Sequence, residues 1–226
     1  MSLQHILFIV TNATEIGPFK RPTGFFFPEI AHPFDVFENA GIAIEYATPL
    51  GGKVSHDGLD EKDPAQAAFL RSKSIQRLNH SQKLSEVDVL NYDAVFVPGG
   101  LGPMVDIARN PEVQRTIARA WDAGMIVAAV CHGPCSFLGV KVEGGHPLVK
   151  GRRLSGFSNR EEDGYADKDV PFRLETALVD EGAKYESADP WQEKVVVDGR
   201  LMTGQNPASA GPLAKVIVEA MRKNQK

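Results

Sequence analysis

IVAAVCHGPCSFLG, residues 126–139, begins as an uncharged apolar run and then places Cys131, His132 and Gly133 in succession. The segment 125–130 lacks the polar alternation of a half-exposed strand, which is typical of a parallel strand covered on both faces. Loops beyond the carboxyl ends of such strands converge, and they form the sites of open α/β sheets. Cys131 is therefore predicted to stand at a functional edge of the sheet.

The rest of the chain alternates strand-like and helix-like segments. An amphipathic pattern over 111–124 starts after Asn110, a predicted helix cap, and stops at Gly124. A second helix, with apolar residues at helical spacing from Leu213 to Met221, closes the chain. This alternation predicts an α/β fold, a three-layer sandwich around a mostly parallel sheet. The predicted strands are 5–11, 42–48, 93–99 and 125–130.

Composition and charge restrict the classes of function. The chain has 226 residues, of which 42% are hydrophobic, and a net charge of -4. We expect one domain over 1–226, with 51–91 as an edge excursion that carries one or two surface helices. The charge offers no basic face for nucleic acid or anionic membranes. No apolar window reaches a membrane span, and the N-terminus lacks the features of a signal peptide, so we expect a cytosolic protein.

Both cysteines, Cys131 and Cys135, lie in the quoted segment, and a reducing compartment keeps them as thiols. The turn from an apolar strand into Cys131, His132, Gly133 and Pro134 and then an apolar helix has the form of a nucleophile elbow. A helix N-terminus at this point favours the reactive thiolate. The alternative is that Cys131 is a small buried hydrophobe, as free cysteines usually are. Cys135 is predicted to pack in the core.

A glycine-rich segment, VFVPGGLGP at 95–103, ends another predicted strand. The backbone N–H groups of Gly99 and Gly100, with that of Gly133, are predicted to line the pocket and to stabilise an oxyanion. The histidines show no metal-ligand spacing, and GGLGP lacks the G-x-G-x-x-G dinucleotide pattern. We therefore expect neither a metal nor a cofactor.

Linked motifs along the chain resemble a known family. They are VPGGLGP, AVCHGP, VPFRLE and DGRLMTGQNPAS, with TGFFFPEIAHPFDVF near the start. Together they resemble the ThiJ/PfpI superfamily, and within it the branch of heat-shock chaperones and glutathione-independent glyoxalases (glyoxalase III). The resemblance covers residues 5 to about 220 and implies a flavodoxin-like fold with edge insertions.

The resemblance also implies a triad of the elbow cysteine, the adjacent histidine and a downstream carboxylate. The first two map to Cys131 and His132. For the third, GFSNREE at 156–162 offers Glu161 and Glu162. Spacing favours Glu162 as the carboxylate that orients the imidazole ring. Glu161 is expected to be a surface residue.

A further acid of the family maps to Glu29, in GFFFPEIAHP on the first long helix. Beside a thiolate in a dry pocket its pKa is expected to rise, so that the carboxyl stays protonated and donates a hydrogen bond to sulfur. The alternative is an ordinary first-turn glutamate after Pro28, which the helix dipole favours. The phenylalanines at 25–27 line the pocket or pack in the core.

The activity that the resemblance implies is that of a glyoxalase III-type lyase, a D-lactate dehydratase. It converts methylglyoxal and similar 2-oxoaldehydes to 2-hydroxy acids through a cysteine hemithioacetal. Two alternatives are a stress-response holdase chaperone or redox sensor, and a cysteine peptidase or deglycase-type hydrolase. A chaperone needs a large exposed apolar patch, whereas an enzyme needs an enclosed pocket. The expected partner is a small aldehyde, with a homodimer and unfolded client proteins as further candidates.

Overall fold

The computed structural model of the chain describes residues 3–223, so the domain predicted over 1–226 extends beyond the described residues at both ends. Seven strands of this part of the chain form one central sheet, and the others form two-stranded ribbons. The strands are β1 His5–Ile9, β2 Glu15–Ile16, β3 Arg21–Pro22, β4 Phe25–Phe26, β5 Ala43–Thr48, β6 His56–Asp57, β7 Gln82–Lys83, β8 Ala94–Val97, β9 Ile126–Val130, β10 Arg153–Leu154, β11 Lys184–Tyr185, β12 Val195–Asp198 and β13 Leu201–Gly204.

The helices flank this sheet, and two of them lie in the excursion predicted over 51–91. The α-helices are α1 Pro28–Asn39, α2 Pro64–Arg71, α3 Lys73–Asn79, α4 Pro103–Asp106, α5 Pro111–Asp122, α6 Asn159–Glu162, α7 Leu174–Asp180 and α8 Ala210–Lys223. Short 3-10 helices are Leu84–Glu86, Val89–Asn91, Gly133–Phe137 and Pro207–Ser209.

The central sheet has the strand order β12-β13-β9-β8-β1-β5-β7. Its neighbouring strands are parallel, except that β12 runs antiparallel to β13. Helices α1 and α8 pack against each other and against the sheet, and α5 packs against β8 and β9. The predicted α/β fold with a mostly parallel sheet is confirmed. All four predicted strands are present, each within its predicted range.

Strand β13, which extends the sheet beyond β9, is not among the strands predicted from the sequence. This four-residue strand pairs in parallel with β9, with Leu201 opposite Val127 and Gly204 opposite Val130. Both strands are buried along their whole length. A buried strand of this length shows no periodicity that distinguishes it from a loop, so only the pairing with β9 defines it.

Helix α5 follows from local sequence signals. The side chain of Asn110 accepts hydrogen bonds from the backbone N–H groups of Glu112 at 2.9 Å and Val113 at 3.4 Å, and Pro111 occupies the first helical position. These contacts satisfy N–H groups that lack partners within the helix. The predicted cap is therefore confirmed. The buried face of α5 is formed by Val113, Thr116, Ile117, Ala120 and Trp121.

The carboxyl ends of three neighbouring strands meet where the predicted site residues lie. Strand β8 leads into Gly99 and Gly100, β9 leads into Cys131, and β13 ends at Gly204. Parallel strands place their following loops at one edge of the sheet. The fold therefore brings segments about 30 and 70 residues apart in the chain to one place, as open α/β sheets do.

Replacing the cap of α5 tests its contribution to stability. We expect Asn110→Ala to lower the free energy of unfolding by about 1 kcal/mol, because two N–H groups lose their acceptor. Urea unfolding followed by circular dichroism measures the change. The matched control is Asn39→Ala, because within residues 3–223 the exposed Asn39 side chain at the end of α1 bonds Asp35 alone. Equal losses for the two variants would contradict the capping role.

Candidate active site

Cys131 occupies a strained backbone conformation directly after β9. Its φ is +59°, in the left-handed region that residues with a Cβ seldom adopt. Two hydrogen bonds hold it there: its N–H donates to the Gly204 carbonyl at 3.0 Å, and its carbonyl accepts from the Phe157 N–H at 2.8 Å. The Cys131 residue is 4% exposed. Strain held by the surrounding structure is typical of a functional turn.

The turn continues into the 3-10 helix Gly133–Phe137, so the α-helix expected after Cys131 is absent and that prediction is wrong. A side chain at Gly133 would meet the carbonyl oxygen of Val97 at 2.2 Å, because the turn crosses the end of β8 closely. A five-residue 3-10 segment offers no α-helix macrodipole at Cys131. Stabilisation of a thiolate therefore has to come from individual N–H groups and side chains.

His132 connects the sulfur to a buried carboxylate. Its Nδ1 lies 3.5 Å from the Cys131 Sγ, and its Nε2 lies 2.8 Å from Oε2 of Glu162. Both His132 and Glu162 are buried. The Phe157 ring covers the imidazole at a centroid distance of 4.3 Å. A carboxylate at one ring nitrogen fixes which nitrogen faces the sulfur, so the structure brings Cys131, His132 and Glu162 together as one chain of contacts.

Glu29 reaches the same sulfur from α1. It is fully buried, and its Oε2 accepts a hydrogen bond from the Gly99 N–H at 2.6 Å. Burial raises the pKa of Glu29 to about 8, although its contacts with Cys131 and Gly99 oppose the rise. Because Oε2 is an acceptor, the proton of the neutral acid belongs on Oε1, which has no hydrogen-bond partner among residues 3–223.

Cys131 and Glu29 compete for one proton. Burial, and then the charge of Glu29, raise the pKa of the Cys131 thiol, whereas the N–H groups of Gly100 and His132 lower it. Two coupled acids in one dry space do not both ionise, since each charge disfavours the other. The pair therefore carries at most one negative charge, and a thiolate at Cys131 requires Glu29 to be protonated.

The three predicted pocket glycines have different surroundings. The Gly99 N–H is already bound by Glu29, and a side chain at Gly99 would meet the Cys131 Cβ at 2.8 Å. Gly100 has a φ of +92°, and its N–H favours the thiolate and so lowers the pKa of Cys131. The backbone donors at the sulfur are therefore those of Gly100 and His132. Gly99 instead binds Glu29, and Gly133 allows close packing against β8.

The prediction that Glu161 lies at the surface is wrong. The residue expected at the surface is only 2% exposed, and its carboxylate accepts hydrogen bonds from Ser158, Trp191 and Asn206. An acidic segment in a sequence is usually solvated, and nothing local distinguishes Glu161 from its neighbours. The one available signal was the Ser158-x-x-Glu161 spacing of a capping box, which the structure contains.

The other residues considered in the sequence, Cys135 and Phe25 to Phe27, are buried or half-buried in the structure. Cys135 is fully buried, and its thiol donates to the Pro103 carbonyl at 3.3 Å, as expected for core packing. Phe25 and Phe27 are buried and pack against His56, whereas Phe26 is half-buried. Among residues 3–223, no three histidine, cysteine, aspartate or glutamate side chains cluster in a way that would hold a metal ion.

A model of the DJ-1/PfpI family matches residues 24–220. This chain belongs to the DJ-1/PfpI family. The resemblance identified from VPGGLGP, AVCHGP and the other linked motifs is thereby confirmed.

Individual DJ-1/PfpI relatives are similar over nearly their whole length. Glyoxalase 3 of Candida albicans is 32% identical over 217 residues, which cover 90% of this chain and 92% of that protein. The crystal structure of glyoxalase III from Candida albicans has a TM-score of 0.85 and 28% identity, covering 96% of this chain and 97% of that chain. The X-ray structure of Rapid Encystment Protein 24 kDa from Francisella tularensis has a TM-score of 0.91 and 31% identity, covering 97% of this chain and 99% of that chain.

Within the described residues, no helix of this DJ-1/PfpI protein combines the length and the apolar content that crossing a membrane requires.

The raised pKa of Glu29 predicts a pH dependence of stability. Between pH 4.5, the ordinary pKa, and a pH of about 8, Glu29 is protonated in the folded protein but ionised in the unfolded chain. The stability that depends on this proton is fully present below pH 4.5 and is lost as the pH rises through about 8. We expect this group to lower the free energy of unfolding by about 3 kcal/mol between pH 5 and pH 8, and Glu29→Gln to remove that fall.

Urea titrations at the two pH values measure this difference in wild type and in Glu29→Gln. The control is Glu86→Gln, which changes an exposed glutamate and keeps the wild-type pH dependence. An identical fall in wild type and Glu29→Gln would show that Glu29 is ionised throughout.

Proposed function

We propose that this chain converts 2-oxoaldehydes such as methylglyoxal to 2-hydroxy acids such as lactate, without glutathione. The observation that carries the proposal is the convergence of a strained cysteine, an oriented imidazole and a protonated carboxyl on one buried sulfur. The similarity to glyoxalase 3 of Candida albicans supports the same activity. The reaction adds one water overall and needs no oxidant or reductant.

The first step is attack of the Cys131 sulfur on the aldehyde carbon of the substrate. A carbon–sulfur bond forms as the carbonyl π bond breaks, and the Cys131 thiol proton moves through His132 to the former carbonyl oxygen, which gives a hemithioacetal. The Gly100 and His132 N–H groups beside the sulfur stabilise the negative charge that develops on this oxygen. Because these donors are backbone groups in a dry site, they are oriented before the substrate arrives.

The second step moves hydrogen between the two substrate carbons. His132 removes the proton from the sulfur-bearing carbon, and Glu29 donates its proton to the neighbouring carbonyl oxygen, which gives an enediol. His132 then returns its proton to the second carbon, and the ionised Glu29 takes back a proton from the first hydroxyl. The product is a thioester of the 2-hydroxy acid. Glu162 stabilises the imidazolium that exists between the two transfers.

Hydrolysis completes the cycle. Water attacks the thioester carbon, the carbon–sulfur bond breaks, and a proton returns to Cys131 as the hydroxy acid leaves. At 4% exposure, Cys131 admits a small aldehyde more readily than a polypeptide segment, which disfavours the peptidase alternative. A cytosolic location, a homodimer and binding of unfolded client proteins stay predictions from the sequence.

A glutathione-free assay with methylglyoxal tests the activity. We expect wild type to form lactate, Cys131→Ala to lose activity to background, and Glu29→Gln to lower kcat by about 100-fold, because Gln cannot supply the proton. Lactate is measured alongside methylglyoxal consumption. Cys135→Ala is the matched cysteine control and is expected to keep the activity. Full lactate formation by Cys131→Ala would overturn the proposal.

Loss of the carboxylate behind the histidine is a separate test. We expect Glu162→Gln to lower kcat by about 100- to 10,000-fold, because the amide neither stabilises an imidazolium nor holds the required tautomer. Steady-state kinetics at several pH values measure the effect. A kcat within threefold of wild type would remove Glu162 from the mechanism.

A further inference from the structure

Glu161 is a buried charged residue that the proposed reaction does not use. It lies beside Glu162 in the chain, yet it makes no contact with His132 among the described hydrogen bonds. Burial of a carboxylate is costly unless donors surround it. The donors around Glu161 therefore show which parts of the molecule it joins.

One oxygen of Glu161 fixes the start of helix α6. Its Oε2 accepts from the Ser158 N–H at 3.0 Å and from the Ser158 hydroxyl at 2.7 Å, while the Ser158 hydroxyl accepts from the Glu161 N–H at 3.2 Å. This closed capping box sets the orientation of a helix that is a single turn long. Glu162 is the last residue of that helix, so the box determines where its carboxylate meets His132.

The other oxygen holds the loop before β12. Oε1 accepts from the Trp191 N–H at 2.8 Å and from the Asn206 side chain at 2.8 Å. Trp191 has a φ of +65°, a left-handed conformation that a tryptophan adopts only when its surroundings impose it. The same Asn206 amide donates to the Gln192 carbonyl at 2.7 Å, which joins the loop to the segment after β13.

This loop supplies the outer part of an aromatic wall that leads to the active site. The half-exposed Trp191 ring meets the Phe157 ring at 5.4 Å and the Tyr165 ring at 5.7 Å. Phe157 in turn lies on the His132 imidazole at 4.3 Å. Both oxygens of Glu161 therefore act on the same imidazole, one through Glu162 and the other through Trp191 and Phe157.

We propose that Glu161 is a positioning residue for the Cys131 site, joining the His132–Glu162 pair to the aromatic wall of Phe157, Tyr165 and Trp191. It acts only through these neighbours. The effect on turnover rests on the proposed function, but the effects on Cys131 and Trp191 do not.

Glu161→Gln tests this role, because the amide nitrogen must face two donors whichever way it is oriented. We expect kcat for methylglyoxal to fall by about 10- to 100-fold with KM changed less than threefold, since the imidazole is misplaced while the cysteine is intact. The matched control is Glu175→Gln. Glu175 also accepts from the start of α6, through the Asn159 N–H at 2.6 Å, but makes no contact with Trp191 or Asn206.

Two further measurements are independent of turnover. Iodoacetamide alkylation of Cys131 against pH reports the groups that face the sulfur, which are Glu29, His132 and Tyr165. Displacement of the imidazole changes the contact between its Nδ1 and the Cys131 Sγ, so the half-maximal pH of alkylation in Glu161→Gln differs from that of wild type by about 0.5 unit or more. Acrylamide quenching reports the half-exposed Trp191, because the other tryptophan, Trp121, is buried. Quenching of Trp191 increases when its loop is released.

Ser158→Ala provides a milder variant in case Glu161→Gln does not fold. It removes the hydroxyl's bond to Oε2 and the bond that the hydroxyl accepts from the Glu161 N–H, but it leaves both bonds to Oε1. It is expected to change the same three measurements in the same direction, by a smaller amount. The proposal is overturned if Glu161→Gln keeps the wild-type kcat, alkylation profile and quenching. It is also overturned if Glu175→Gln changes these measurements as much as Glu161→Gln does. If wild type fails to convert methylglyoxal, the proposed reaction is wrong, and alkylation and quenching still decide the role of Glu161.

Discussion

The left-handed backbone of Cys131 is the constraint on which the site depends. A cysteine in an ordinary strand conformation would continue β9 and point into one face of the sheet. Hydrogen bonds from the Cys131 N–H to Gly204 at the end of β13, and from the Phe157 N–H to the Cys131 carbonyl, hold the turned conformation instead. These contacts come from segments far apart in the chain, so the strain of the turn is supported by the fold as a whole and not by its own residues.

Holding the sulfur at this turn places it between an acid and a base. Glu29 approaches from α1 and is kept neutral by burial, whereas His132 is oriented by a buried carboxylate. The thiol alone would resist ionisation, since burial raises its pKa. The neutral form of Glu29 removes one competing charge, and the Gly100 and His132 N–H groups favour the anion. Reactivity at this cysteine is thus a property of the group of residues.

Glu161 and Glu162 illustrate how surroundings assign roles to identical side chains. They are adjacent on one short helix and both buried. Glu162 faces an imidazole that changes its charge during the proposed reaction, whereas Glu161 faces only fixed donors, four bonds in all from Ser158, Trp191 and Asn206. A carboxylate whose acceptors are all occupied does not take part in proton transfer, but it can hold other groups in place.

Local signals were sufficient for the strand–helix alternation, the Asn110 cap and the adjacency of Cys131 and His132, because periodicity, capping and neighbouring positions are properties of short segments. The pairing of β13 with β9, the capture of the Gly99 N–H by Glu29 and the burial of Glu161 depended on contacts between distant segments. Such contacts exist only once the sheet has assembled. The same is true of the raised pKa of Glu29, because desolvation follows from burial by the whole fold.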